Sequence, residues 1–373
     1  MGTMALHRSQ EQAIAYVTAQ ARERRDAAHE RIDELLRMSD TTWAEYDEAI
    51  AQLRLRARVA LQFHPDRPQG DGRTVATGLL NTGEYRSQFE THVSNGYLGP
   101  HAGSPRDEWE RRMFGGAYQL DGTAGEHRPK YGALDLMLHP DGPSPRFGSS
   151  YLLLRPSVLP RCTLTFLSSH EATIRGSFDE LDDVVGALLF EAFTRDFAVG
   201  ERDIRPARLV AHLRTRLDEP IAARMTRPLS RNLDHFVETH VHGAVRLADD
   251  VEAVVADPSF MGTETGATLA EVCERYDLTL HYHRGSVLPS SEVPSDVRGS
   301  AMASLATRVG RDGTVDARPI GEAAIALFRD PAAWTDRGTY ADVVQELKLL
   351  WHVLVRCGRD PDAHVVASRC RSG

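Results

Sequence analysis

Residues 233–260 read LDHFVETHVHGAVRLADDVEAVVADPSF, and the periodicity of this stretch decides the fold. Val237, Thr239 and Val241 alternate with Phe236, Glu238, His240 and His242, the period-2 pattern of a β-strand with one face against a core. One carboxylate and two imidazoles therefore share a face. Three ionisable groups at adjacent same-face positions are costly to bury and more useful in a cleft, although a solvated edge strand would show the same alternation. Gly243 ends the run, and Leu247, Val251, Val254 and Val255 at helical spacing predict a short helix or turn on the same core.

Upstream of this strand, residues 177–193 and 205–217 read as helices, the first opening with Ser177 three residues before Glu180 in a capping-box pattern. Before them, Pro/Gly turns separate three expected strands at 133–138, 149–155 and 162–167. RDEWERRMFGGAY predicts a short helix that carries Trp109, Met113 and Phe114 into the core and stops at Gly115-Gly116. The segment GEYRSQFETHVSNG admits two readings. As a strand it aligns Arg86, Gln88 and His92 on a polar face; as a helix it pairs Arg86 with Glu90 and ends at Gly96.

At the N-terminal end, residues 8–63 contain no Gly or Pro and read as helix throughout, broken near Ser39–Thr42 into a helical hairpin whose second helix runs over 43–63. The tripeptide His64-Pro65-Asp66 after a basic helix resembles that of J-domain co-chaperones, but GDGRTVATGLLNTG follows where such a domain continues with an amphipathic helix. Pro65 and Pro68 also suit a plain helix stop. Beyond the focal stretch come an expected helix at 268–276, a strand at 278–283, a Ser/Pro-rich loop at 285–298, and helices at 320–328 and 340–357. The expected architecture is α+β: an N-terminal helical hairpin (1–70), a central mixed or antiparallel β-rich domain (71–290) and a C-terminal helical cover (291–373).

Composition narrows the function. Hydrophobic residues at 41% and charged residues at 26% describe an ordinary globular chain, and a formal net charge of -9 offers no basic footprint for nucleic acid. Cys162, Cys273, Cys357 and Cys370 form no CxxC pair, which favours reduced thiols and a cytoplasmic location. No run approaches the eighteen or so apolar residues that a membrane span needs. Neither GxGxxG after a strand nor GxxxxGK[ST] occurs, so the usual dinucleotide and P-loop markers are missing.

Two constellations can carry chemistry. Glu238-x-His240-x-His242 and His281-x-His283 each place ligands on one face of a strand, and two such ribbons side by side would enclose a divalent metal for a hydrolase or oxygenase. The other constellation is Arg86, then Ser168 and Ser169 at a strand end, then Glu238. In that order they resemble the arginine, serine-threonine-serine and glutamate elements of mono-ADP-ribosyltransferases. TFLSSH at 165–170 is similar to that family's aromatic-x-Ser-Thr-Ser stretch, with His170 in place of the last serine, and Phe236 stands where arginine-modifying members carry Glu or Gln. The resemblance implies an ADP-ribosyltransferase fold and transfer of ADP-ribose from NAD to an unknown acceptor. Glu238 would then stabilise the ribosyl cation, Arg86 with Gln88, Ser168 and Ser169 would bind NAD, and His240 and His242 would contact the acceptor or act as its base. Over nearly its full length, through HPDR, FGGAY, RPKYGALDLMLHPDGP and ETHVHG, the chain also resembles a family of uncharacterised bacterial proteins that brings no activity. A non-catalytic module that docks a partner on its N-terminal helices is the remaining alternative.

Overall fold

A computed structural model describes residues 5–93, 99–169 and 173–361. Eight strands form one sheet: β1 (Val59–Phe63), β2 (Lys130–Leu134), β3 (Ser150–Leu154), β4 (Cys162–Phe166), β5 (Arg175–Ser177), β6 (Val237–Val241), β7 (Val251–Ala256) and β8 (Thr279–Tyr282). Their order is β8-β7-β3-β1-β2-β6-β4-β5, antiparallel except for the parallel β7/β8 pair. Helices precede and follow this mixed sheet, so the fold is α+β. No helix among the described residues is long and apolar enough to cross a membrane.

The two faces of the sheet differ in chemistry. Directly opposed residues of antiparallel neighbours share a face, so the apolar set Leu61, Leu134, Leu152, Leu164, Val237 and Val241 lies on one side. It is buried under helices α2 (Arg25–Met38), α3 (Trp43–Arg56), α6 (Asp182–Arg195) and α7 (Pro206–Thr215). The pairs Ala133↔Glu238, Tyr131↔His240, Thr163↔His240 and Thr165↔Glu238 put the polar set on the other side. That side is roofed by α1 (Arg8–Glu23) and α5 (Pro105–Met113), whose Ala13, Val17, Trp109 and Met113 cluster with Phe114 and Tyr118. The remaining helices are α4 (Val75–Thr82), α8 (Glu264–Arg275), and a C-terminal group α9 (Ala301–Val309), α10 (Ala317–Arg329) and α11 (Tyr340–Cys357) with its own apolar core. Trp351 of α11 donates its indole N–H to the Pro145 carbonyl at 2.8 Å, tying that group to the loop before β3.

Several expectations are corrected. The helix expected over 43–63 stops at Arg56, and Val59–Phe63 is instead a central strand with all five residues buried. A strand covered on both faces shows no alternation to betray it, and His64-Pro65-Asp66 consequently follows a strand. The preceding helix is two, meeting at Arg24 with no Gly or Pro between them. Tertiary contacts gather at the junction: Arg24 bonds Asp183, while Arg22 and Arg25 clasp Glu180. For the same reason Ser177 is no cap: it ends β5, and Glu180 is spent on those arginines. After Gly243 the helix is one turn, Leu247–Asp250, and Val251–Ala256 is strand β7, buried apart from Glu252. The strand expected at 133–138 forms over Lys130–Leu134.

Candidate functional site

Ser87 caps a single helical turn, Gln88–Thr91, with Glu90 closing the capping box onto the Ser87 backbone N–H at 2.7 Å. The helical alternative for this segment is therefore realised only as one turn, and its Gly96 stop lies outside the described residues. Glu90 is committed to that cap, so Arg86 does not pair with it and instead donates to Gln69 at 2.6 Å. This arrangement aims Arg86 and Gln88 at the end of β1, into a cavity of about 280 Å3.

The cavity also receives Glu238 from β6 and Ser168 from the chain leaving β4. Four residues singled out in the sequence thus converge from three separate segments. Ser169 does not line the cavity; it holds Glu238, its backbone N–H reaching one carboxylate oxygen at 3.3 Å and its hydroxyl donating to the other. Trp109 fixes Ser169 in turn by donating to its carbonyl at 3.1 Å. Glu238 is 5% exposed, so its carboxylate sits in a low-dielectric mouth and not in bulk water. His170 lies outside the described residues.

His240 of β6 and His242 just beyond its end lie behind the carboxylate, away from the cavity. His240 Nε2 is 3.2 Å from Glu238 Oε1, and its Nδ1 is 3.1 Å from Thr163 Oγ1. Thr163 Oγ1 is also 3.0 Å from His242 Nε2, and His242 Nδ1 is 2.5 Å from the Tyr118 hydroxyl. Burial, then the neighbouring His240, Arg161 and Lys130, hold His242 well below the usual imidazole range, so it is neutral. Burial and the nearby Glu110 push Tyr118 well above the phenol range, so it keeps its proton. Taking the Thr163 hydroxyl as the donor to His240 Nδ1, with one hydrogen on the phenol and one on the neutral His242, the direction of the whole chain follows. Tyr118 donates to His242, His242 to Thr163, Thr163 to His240 and His240 to Glu238. The acceptor-contact role expected of His240 and His242 has no geometric counterpart here, since both ring nitrogens of each are engaged; the relay instead orients the carboxylate. Both rings should therefore be Nε2–H tautomers, which 15N–1H correlation spectra will test; an Nδ1–H signal from either would break the chain. Thr163→Val strands a nitrogen on each ring and should cost about 2 kcal/mol of stability in denaturant titration.

Other lining residues escaped the sequence reading. Arg67, Arg106, Lys130, Arg146 and Lys348 join Arg86, so among the described lining residues six basic side chains face two carboxylates, Glu84 and Glu238. Burial pushes Lys130 down to about 8, and burial with nearby arginines does the same to Lys348. Arg146 pairs with Asp234 and reaches the Leu233 carbonyl at 3.2 Å. Tyr131 lines the wall and donates to Glu110 at 2.8 Å. Such a cavity attracts an anion.

The metal alternative needs β6 beside β8, yet β2, β1, β3 and β7 lie between them. At strand spacing that is roughly 24 Å. His283 accepts from the Gly285 N–H at 3.0 Å, and no group of three His, Cys, Asp or Glu side chains able to hold a metal occurs among the described residues.

Residues 58–357 match the family described as Protein of unknown function (DUF3626), and the chain belongs to it. No curated protein matches the chain.

Proposed function

For a chain of this family we propose an ADP-ribosyltransferase-like activity, in which NAD is cleaved at its nicotinamide–ribose bond and the ADP-ribosyl group passes to an acceptor. The observation that supports it is Glu238 at the wall of a cation-lined cavity, held by Ser169 and His240, with Arg86, Gln88 and Ser168 on the same cavity. These are the residues through which the sequence resembles mono-ADP-ribosyltransferases.

The chemistry suits the arrangement. As the bond from the ribose C1 to the pyridinium nitrogen breaks, its electron pair leaves with nicotinamide, which becomes neutral, and positive charge builds on the ribose. A fixed carboxylate beside that charge lowers the barrier because its orientation is already set by Ser169 and His240. An acceptor nucleophile then bonds to C1 and gives up its proton; without an acceptor, water takes that place. Arg86 offers its remaining N–H donors to a diphosphate oxygen, and Gln88, whose side-chain oxygen is buried without a partner, offers an acceptor for a ribose hydroxyl.

Release of nicotinamide from NAD by the purified chain tests this reading. Turnover is expected, with Arg86→Ala raising KM about tenfold and changing kcat less, as removal of a contact made equally in ground and transition states requires. A chain that neither binds nor consumes NAD at millimolar concentration would refute it.

A further inference from the structure

The cavity carries more positive charge than NAD can balance. NAD brings two phosphate charges and a cationic pyridinium, whereas among the described residues that line the cavity six basic side chains face two carboxylates. Arg86 has Gln69 as a partner and Arg146 has Asp234. Arg67 and Arg106 make no side-chain hydrogen bond among the described residues.

Arg106 is the more telling of the two. It is 4% exposed, its Nε is buried with no hydrogen-bond partner, and it lines the cavity. Its guanidinium is held against aromatic rings, 4.9 Å from the Trp109 centroid and 5.5 Å from that of Tyr131. Buried charges normally have a counter-charge, and rings alone replace only part of lost hydration. Lys348 reaches the same end of the cavity from α11, and Arg146, Arg106, Arg298 and Arg67 all bear on it electrostatically. The acidic groups facing this cluster are Asp234, already shared by Arg146 and Arg298, Glu238, which the proposed chemistry uses, Glu110, which bears on Arg106 but is already bonded by Arg128 and Tyr131, and Asp66, which bears on Arg67.

We propose that this cationic end holds the phosphate monoester of a small phosphorylated acceptor, with Arg106 forking onto its oxygens and Arg67, Arg146 and Lys348 around it. Naming the ligand an acceptor rests on the transferase reading; phosphate binding at this end does not. A small molecule fits better than a polynucleotide, because the cations lie inside a cavity on a chain whose net charge is -9.

Calorimetric titration of the full chain decides the matter, with ribose 5-phosphate, ribose and a 5′-phosphorylated oligonucleotide as titrants, each without and with saturating NAD. Ribose 5-phosphate should bind with and without NAD while ribose does not, and Arg106→Met and Lys348→Met should each weaken binding at least tenfold. The two substitutions lie on different helices, so a folding defect in one leaves the other informative. The proposal is overturned by binding that both variants retain unchanged, by displacement of ribose 5-phosphate by NAD, or by tighter binding of the oligonucleotide. Sugar phosphate held through Arg106 by a chain that ignores NAD would keep the site and sink the transferase.

Discussion

Glu238→Gln is expected to lower kcat for nicotinamide release about a thousandfold, a loss of ~4 kcal/mol of transition-state stabilisation, with little change in KM. The substitution keeps the side chain's size but removes its charge, so NAD already bound loses nothing until the ribose becomes cationic. Ser169 and His240 then face an amide in place of a carboxylate: an amide oxygen at the Oε1 position still accepts from the Ser169 hydroxyl and His240, while the amide nitrogen at the Oε2 position confronts the Ser169 N–H. A modest loss of stability should therefore accompany the loss of activity, and a circular-dichroism melt separates the two. A folded variant that retains a third or more of the wild-type rate would remove Glu238 from the chemistry.

The largest effect on stability is expected away from the cavity. Arg224 and Asp135 are each 1% exposed and meet at 2.6 Å from Nη1 to Oδ2. The second oxygen of Asp135 and the Nε of Arg224 have no hydrogen-bond partner, so each group leans on this one contact. Arg224→Met leaves a buried carboxylate without its cation and should cost about 3–5 kcal/mol in denaturant titration. Replacing both, with Asp135→Leu added, should cost less than either single change, because the desolvation of two charges disappears together with their attraction. A double variant that loses the sum of the two single losses would show that the pair does not act as a unit.

The focal strand was legible because its faces differ: Val237 and Val241 are packed into the core while Glu238 and His240 face the polar side, and that contrast is written as alternation. Strands β1 and β7 escaped for the opposite reason. VALQF is buried on both faces, VEAVVA nearly so, and an apolar-rich run without strict alternation, adjoining a helix, looks like more helix. Arg86, Gln88, Ser168 and Glu238 were found as residue types in a suggestive order, but their meeting in one cavity depends on strand pairing over long separations, which local spacing does not encode. Arg106 gave no signal at all, since an arginine in an amphipathic helix ordinarily reads as a solvated charge. Lys348 did give one: it is flanked by Leu347, Leu349, Leu350 and Trp351, an unlikely place for a surface lysine. Tyr118 and Thr163 became significant only once the hydrogen bonds of His242 were known.

Lys348 places one wall of the cavity on α11, whereas Phe63 places another at the end of β1. During translation, then, the nascent chain has Glu238 in hand long before the pocket around it can close. The proposed NAD cleavage then has to wait until the ribosome has released α11, and a chain truncated before that helix should release no nicotinamide even with every other lining segment made.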